Sequence, residues 1–258
     1  MSTKKLNFYD RYTALIWFLI LLAVWELACR AFQVSDFILP APSKIFASLW
    51  EFRMVILDHA IQTFWTTMAG FALAVVVGVL IGVAVGTSPA IYRGAYPLLV
   101  GFNGIPKAAF VPVLVVWFGI GTIPAILTAF LIAFFPILVN VATGLATLEP
   151  ELEDVLRVLG AKKRDVLLKV GLPRSLPYFL ASLKVAITLA FVGSVVSETV
   201  ASNKGIGYLM MSASSQLRMP LVFAGLIVIS VMAVAMYYIL AWVENRYTKW
   251  ATRGQATV

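Results

Sequence analysis

The stretch that decides the fold is Ile61–Val85, IQTFWTTMAGFALAVVVGVLIGVAV. It contains no charged residue and, at roughly 1.5 Å per helical residue, it is long enough to cross the hydrocarbon core of a bilayer. Its apolar residues form a continuous run, whereas a strand of a membrane barrel alternates. Because lipid cannot satisfy free backbone amides, the run must be helical. The stretch therefore predicts a transmembrane helix.

A stripe of small residues runs along this helix at every fourth position. Residues four apart lie on one face of a helix, and small side chains allow a neighbouring helix backbone to approach closely. The stripe therefore predicts a packing face, and we expect the packing to occur within the chain. Its members are Gly70, Ala74, Gly78, Gly82 and Gly86.

The composition of the whole chain agrees with this interpretation. The 258 residues are 61% hydrophobic and 12% charged, with a mean hydropathy of +0.94. An average globular chain is about 25% charged. We predict an all-α integral membrane protein that forms one domain over residues 1–258, with six transmembrane spans. The predicted spans are 13–29, 61–85, 95–118, 123–145, 178–200 and 221–243.

Lysine and arginine are distributed unevenly between the loops. If the N-terminus is inside, thirteen lie on the cytoplasmic side and five on the outer side, while Lys107 and Lys184 lie within spans. Because basic residues favour the cytoplasmic side, we expect both termini and the loop 149–173 to be cytoplasmic. The net charge of +8 then reflects this topology and the anionic headgroups of membrane lipid. The sequence has no basic patch interleaved with aromatic residues, which is the pattern that would indicate nucleic-acid binding.

The first span is expected to be an uncleaved anchor helix. Glu26 and Arg30 place charge where a signal-cleavage site requires small or apolar residues, and they are spaced to pair on one helical face. After this span, Ser43 is expected to be the N-cap of a short amphipathic helix that reaches Phe52. Such a helix would lie along the outer membrane surface, and a simple connector is the alternative.

Two other spans carry polar residues. Asn103, Pro106 and Lys107 interrupt the third span, and a polar span broken by proline indicates a translocation path. The alternative for Lys107 is a side chain that extends to the cytoplasmic interface. Glu198, near the outer end of the fifth span, either lines the path or is an interfacial carboxylate that caps or pairs locally, with Lys204 as a partner.

The loop 149–173, EPELEDVLRVLGAKKRDVLLKVGLP, concentrates charge in a chain that otherwise has little. Pro150 suits the first position of a helix, and Gly160 suits its end because glycine readily adopts positive φ. A second short helix is predicted over Lys162–Val170, ended by the Gly171-Leu172-Pro173 sequence. So much charge in one internal loop of a membrane protein indicates a surface for a soluble partner.

No residue pattern indicates an enzyme, a catalytic residue, a metal site or a cofactor. His59 is the only histidine and Cys29 the only cysteine, and neither lies on a metal-ligand or nucleophile spacing. A phosphate-binding G-x-x-x-x-G-K-[ST] loop is absent from the sequence, so nucleotide chemistry must reside on another chain. A stand-alone secondary transporter is the competing hypothesis, but only Lys107, Lys184 and Glu198 could serve as its proton or ion relays.

The loop resembles the EAA loop, EAA-x3-G-x9-I-x-L-P, of the membrane subunits of bacterial ABC importers. The spacing from Gly160 to Pro173 matches, and valine replaces isoleucine. An Asp-Val-Leu triplet stands where Glu-Ala-Ala is usual. The resemblance implies an ATPase-coupling role for Asp154, Val155, Leu156, Gly160, Ala161, Val170, Leu172 and Pro173.

Three further blocks, at 39–43, 105–121 and 198–209, resemble the nitrate/sulfonate/taurine-type permease family. The resemblance implies a type I ABC importer permease of the bacterial inner membrane. It also implies a homodimer of permeases, two cytoplasmic ATPase subunits, an external solute-binding protein and no cofactor. The implied solute is a small organic or inorganic anion such as a sulfonate, taurine or nitrate. A thiamine precursor, a flavin or an aromatic acid is the alternative.

Overall fold

The computed structural model describes residues 8–146, 155–156 and 158–248, and within these ranges the regular structure is helical. The helices are α1 (Phe8–Ala31), α2 (Pro42–Glu51), α3 (Arg53–Gly86), α4 (Pro89–Asn103), α5 (Val111–Phe118), α6 (Thr122–Ala146), α7 (Lys163–Val166), α8 (Leu172–Ala201), α9 (Ile206–Ser215) and α10 (Met219–Tyr247). A 3-10 turn, Lys107–Phe110, lies between α4 and α5, and a π-helical turn, Leu167–Gly171, joins α7 to α8.

Four helical segments are long and apolar enough to cross a membrane: α3, α6, α8 with its preceding π turn, and α10. A fifth crossing is available if α4 and α5 form one broken span, which bends by 73° between them. These segments confirm an all-α, multi-pass fold and the irregularity of the third predicted span. The first predicted span lies inside α1, and the count of six spans stays a prediction.

Helices α3, α6 and α8 form the centre of the molecule, and the predicted stripe of small residues lies against α6. A Cβ atom added at Gly70 would lie 2.6 Å from the Cβ of Ala129, and one added at Gly82 would lie 2.8 Å from the Cβ of Val141. Both distances are well inside van der Waals contact, so only glycine permits this approach of the two backbones. The expectation of packing within the chain is confirmed.

Buried apolar residues fill two clusters around this centre. The central cluster includes Ala74 of α3, Ala133 and Ile137 of α6, and Ala186 and Ala190 of α8. The second cluster joins α2, the first turns of α3, α9 and the start of α10, and it contains Ile45, Ile56, Ala60, Ile206, Leu209, Ala213, Leu221 and Ala224. The second cluster therefore holds α9 against the beginning of α3.

The start of α2 differs from the predicted cap. Ala41 occupies the N-cap position, so Ser43 lies inside the first turn and the prediction for Ser43 was wrong. The carboxylate of Glu26, in α1, instead accepts hydrogen bonds from the Ser43 backbone N–H at 3.0 Å and from its hydroxyl at 2.8 Å. A carboxylate from another helix thus satisfies the open N-terminus of α2. The predicted pair of Glu26 and Arg30 is confirmed, with Nε 2.7 Å from Oε1.

Candidate functional site

Two of the residues implied in coupling, Gly160 and Ala161, form a turn that ends a helix. Gly160 has φ +85°, and the N–H of Ala161 donates to the carbonyl of Leu156 at 3.0 Å. A 6→1 hydrogen bond around a glycine of positive φ is the Schellman arrangement of a helix C-terminus. The predicted helix end at Gly160 is confirmed. Asp154 lies outside the described residues.

Apolar side chains around this turn are exposed. Val155 is 56% exposed, Val158 88% and Leu159 77%. A group of exposed apolar side chains is a typical contact surface for another protein. These residues and Gly160 are called the loop patch below. Most of the apolar surface of the loop patch is exposed in the described part of the chain.

The second short helix of the loop does not end at Gly171-Leu172-Pro173, so that prediction was wrong. Helix α7 passes through the π turn directly into α8, with Pro173 in the first turn of α8. Proline is tolerated in a first turn, and the wider π turn absorbs the change in hydrogen-bond register. Val170, Leu172 and Pro173 therefore belong to one helical segment that continues into a membrane-spanning helix.

Glu198 lies buried where α3, α8 and α9 meet, with 1% of its surface exposed. Its carboxylate accepts hydrogen bonds from the Thr63 hydroxyl at 2.8 Å, the Thr66 hydroxyl at 3.2 Å and the Ser194 hydroxyl at 3.4 Å. A buried carboxylate needs such partners, because its desolvation is otherwise very unfavourable. Of the alternatives predicted for Glu198, local capping is confirmed, because the carboxylate also accepts from the Gly207 N–H. Pairing with Lys204 is wrong, since the Lys204 ammonium lies 3.6 Å from a carboxylate oxygen of Asp58.

The start of α9 is capped by side chains of other helices. The Gly205 N–H donates to Nδ1 of His59 at 3.0 Å, and the Ile206 N–H donates to the Thr63 hydroxyl at 2.8 Å. The Gly207 N–H donates to the Glu198 carboxylate at 3.1 Å. These groups lie at the end of the fold that the basic residues predict to face outward, and they are called the outer cap below. Three of the free N–H groups at this helix N-terminus thus find a side-chain acceptor, and Glu198 adds a negative charge where the helix dipole favours one.

Glycine is required at the outer cap for lack of space. A Cβ atom added at Gly205 would lie 2.2 Å from Cδ of Glu198, and Gly205 has φ +109°. A Cβ atom added at Gly207 would lie 2.7 Å from the Cβ of Glu198. The Gly-Ile-Gly sequence therefore allows the turn after α8 to fold directly over the carboxylate.

Sequence reasoning found Glu198 but missed its partners. The signal was present, because His59, Thr63 and Thr66 are spaced at i, i+4 and i+7 and so form a polar stripe on one face of α3. Polar residues in that spacing on an apolar helix indicate that the face meets another polar group.

Asn103 and Lys107 come together where α4 meets α5, and Pro106 lies in the break between them. The Lys107 ammonium donates to the backbone carbonyl and the side-chain oxygen of Asn103, both at 2.7 Å, and lies 5.7 Å from the centroid of the Phe135 ring. A cation at the C-terminal end of a helix satisfies carbonyls that lack a partner. Lys107 thus caps the C-terminal end of α4. A role of Asn103, Pro106, Lys107 or Glu198 in a translocation path stays a prediction.

Lys184, the other lysine inside a predicted span, forms an ion pair with Glu244 of α10. Both side chains are about one-fifth exposed, so the pair joins α8 to α10 in a largely buried setting. Within the described ranges, no group of three His, Cys, Asp or Glu side chains could hold a metal ion.

The helical multi-pass fold, with an exposed apolar turn between two helices long enough to cross a membrane, is that of an integral membrane protein. A family model described as the inner membrane component of binding-protein-dependent transport systems matches residues 74–249. This match covers more than half of the chain, and the chain belongs to that family.

Individual relatives agree with this family. The formylaminopyrimidine transport permease protein ThiX of Halalkalibacterium halodurans is 30% identical over 243 residues, which cover 94% of this chain and 97% of ThiX. The taurine transport system permease protein TauC of Escherichia coli is 27% identical over 245 residues, covering 90% and 86%. The solved inward-facing MetNI methionine ABC transporter superposes with a TM-score of 0.63 at 20% identity, covering 77% of this chain and 97% of the other. That likeness shows a shared fold.

These comparisons confirm the predicted family of binding-protein-dependent ABC permeases. The chain is a membrane-spanning permease subunit of an ABC importer, and it is a multi-pass protein of the inner membrane. Its family works with a separate ATPase and a solute-binding protein.

Proposed function

We propose that two copies of this chain form the translocation unit of the importer, with both termini in the cytoplasm. One ATPase subunit docks on the loop 149–173 of each copy, and the solute-binding protein docks on the opposite, outer face. The distribution of basic residues supports this orientation, because it places the loop on the cytoplasmic side.

The exposed loop patch is the observation that carries the docking proposal. Val158 and Leu159 expose most of their apolar surface beside a turn that Gly160 fixes, and burying them against a groove of an ATPase would stabilise the complex. The helical segment after the turn continues into α8, and α6 ends at Ala146, just before the loop. A movement of docked ATPases would therefore be transmitted to α6 and α8, which form the centre of the fold, and would alternate access to the path.

The proposed solute is a small anion of the sulfonate, taurine or nitrate kind. Relatives named for taurine and for formylaminopyrimidine support two different classes of solute, so a thiamine precursor, a flavin or an aromatic acid is the second candidate. The Lys107 ammonium already donates two hydrogen bonds to Asn103, which weakens the case for it as the group that selects an anion. Binding of taurine, nitrate or riboflavin to the purified solute-binding protein partner would decide between these classes.

The docking proposal is tested by placing charge on the loop patch. We expect the double variant Val158→Glu/Leu159→Glu to reduce ATPase co-purification with the tagged permease at least about tenfold, because each buried carboxylate would lack a partner. Ile38→Glu is the matched control, since Ile38 is 72% exposed on the connection between α1 and α2. ATPase recovery that is unchanged in the double variant, with normal membrane insertion, would exclude the loop patch as the docking surface.

A further inference from the structure

The acceptors of the outer cap differ in how protons affect them. Thr63 does not titrate, and Glu198 is enclosed between three helices. His59 is only partly buried and lies in the second turn of α3, on the side of the molecule that the basic residues place outside. It is therefore the member of the outer cap that external protons reach most directly.

The hydrogen bond to His59 fixes the protonation state that the outer cap needs. Nδ1 accepts from the Gly205 N–H at 3.0 Å, so the imidazole is neutral and its proton is on Nε2. A protonated imidazolium carries hydrogen on both nitrogens and has no acceptor. Protonation would set two N–H groups against each other, and the bond between α3 and the turn before α9 would be lost.

We propose that His59 is a positioning residue that makes the attachment of α9 to α3 sensitive to external pH. The attachment is complete while His59 is neutral, and protonation releases the Gly205 end of the outer cap. This inference concerns the permease itself and does not depend on the solute or on how the ATPase docks.

The charged and titratable groups near His59 come from each element around it. Asp58 precedes it in α3 and pairs with Lys204 of the turn between α8 and α9 at 3.6 Å. Glu198 of α8, like His59, accepts from a backbone N–H at the start of α9, and the ring of Tyr208 in α9 has its centroid 5.9 Å from that of His59. Asp58 and Lys204 carry opposite charges. A released imidazole has the ordinary pKa of histidine, about 6.5, so release is favoured as the pH falls below that value.

The hydrogen bond to His59 determines in which direction pH changes the attachment of α9 to α3. The capped arrangement binds one proton fewer than the released one, so it is favoured at high pH and is lost as the pH falls through the histidine range. The release would extend beyond α9, because the carbonyl of Ala201, at the end of α8, accepts from the Gly121 N–H of the α5–α6 connection at 3.1 Å. His59 is thus linked to the α8–α9 turn directly and, through Ala201, to the α5–α6 connection.

Hydrogen–deuterium exchange of the complete importer in lipid nanodiscs tests the proposal. After correction for intrinsic exchange, we expect peptides covering residues 203–209 to open about five- to tenfold more at pH 5.5 than at pH 7.5. His59→Asn is expected to abolish this dependence, because its side-chain oxygen can take the place of Nδ1 and does not titrate. His59→Leu is expected to show high opening at both pH values.

Asp58→Asn is the control, since it removes a neighbouring charge and keeps the imidazole. It should open residues 203–209 more at both pH values, because Lys204 loses its partner, but opening should still increase between pH 7.5 and pH 5.5. An identical pH profile in wild type and His59→Asn, or full protection of residues 203–209 in His59→Leu, would overturn the proposal. Both outcomes are independent of ATPase docking, so they cannot be confused with a failure of the proposed coupling surface.

Discussion

The outer cap and the loop patch differ in burial: the polar groups of the outer cap are hydrogen-bonded within the chain, whereas the apolar side chains of the loop patch are exposed. In the outer cap, Glu198 is 1% exposed and its oxygens accept hydrogen bonds from three helices of the same chain. In the loop patch, Val158 is 88% exposed and presents apolar surface outward. The comparison teaches that a buried carboxylate is satisfied by the chain's own helices, whereas the apolar side chains beside Gly160 stay exposed, which is the observation behind the proposed docking surface.

Each region contains a glycine of positive φ. A side chain at either position would strain the backbone, but only at one of them would it also lack space. Gly205 has φ +109° and Gly160 has φ +85°, so both conformations disfavour other residues. An added Cβ would lie 2.2 Å from Cδ of Glu198 at Gly205 but would meet nothing within 4 Å at Gly160. Glycine is therefore favoured at position 160 by the backbone conformation alone, and at position 205 by both the backbone conformation and the lack of space.

The largest expected effect comes from Gly205→Ala compared with Gly160→Ala. We expect Gly205→Ala to lower the free energy of unfolding by about 3 kcal/mol or more, because the methyl group displaces the Glu198 carboxylate and disrupts the outer cap. Gly160→Ala should cost only about 1 kcal/mol of strain. Unfolding of the purified permease in detergent measures both, and the folded fraction after size exclusion provides a second readout if Gly205→Ala is too unstable to purify. Equal losses would mean that space at Glu198 is not limiting.

A smaller effect is expected from Glu198→Gln, which keeps the shape of the side chain and replaces one acceptor with a donor. The Gly207 N–H is fixed, whereas the hydroxyls of Thr66 and Ser194 can rotate, so the amide nitrogen should face the hydroxyls. We expect a loss of about 1–2 kcal/mol in the free energy of unfolding. Glu51→Gln, at an exposed carboxylate, should change it by less than about 0.5 kcal/mol. A neutral result at Glu198 would show that its charge is unimportant for the outer cap.

The parts of the structure that the sequence predicted are those with a local period or a local turn. The long apolar runs and the small residues at every fourth position of α3 require only helical geometry to interpret. The end of a helix at Gly160 likewise depends on neighbours in the chain. These predictions succeeded because nothing distant in the sequence decides them.

The failures all depend on a partner that is distant in the sequence or on a neighbouring turn. The Glu198 carboxylate accepts a hydrogen bond from Thr63, 135 residues earlier in the chain, and does not pair with the nearby Lys204. The cap of α2 comes from Glu26 of another helix, and proximity in sequence favoured Ser43. Pro173 was expected to end a helix, but a π turn preceding it allows the helix to continue.

The smallest expected effect on stability is that of Val158→Asn in the loop patch. A side chain that is 88% exposed loses almost no buried surface when it becomes polar, so the free energy of unfolding of the isolated permease should change by less than about 0.5 kcal/mol. Ile137→Asn, in the central cluster where Ile137 is fully buried, is the contrasting variant and should be severely destabilising. Chemical unfolding of both in the same detergent measures the difference. A large loss at Val158 would mean that this side chain packs within its own chain, and the loop patch would then not be a surface kept free for a partner.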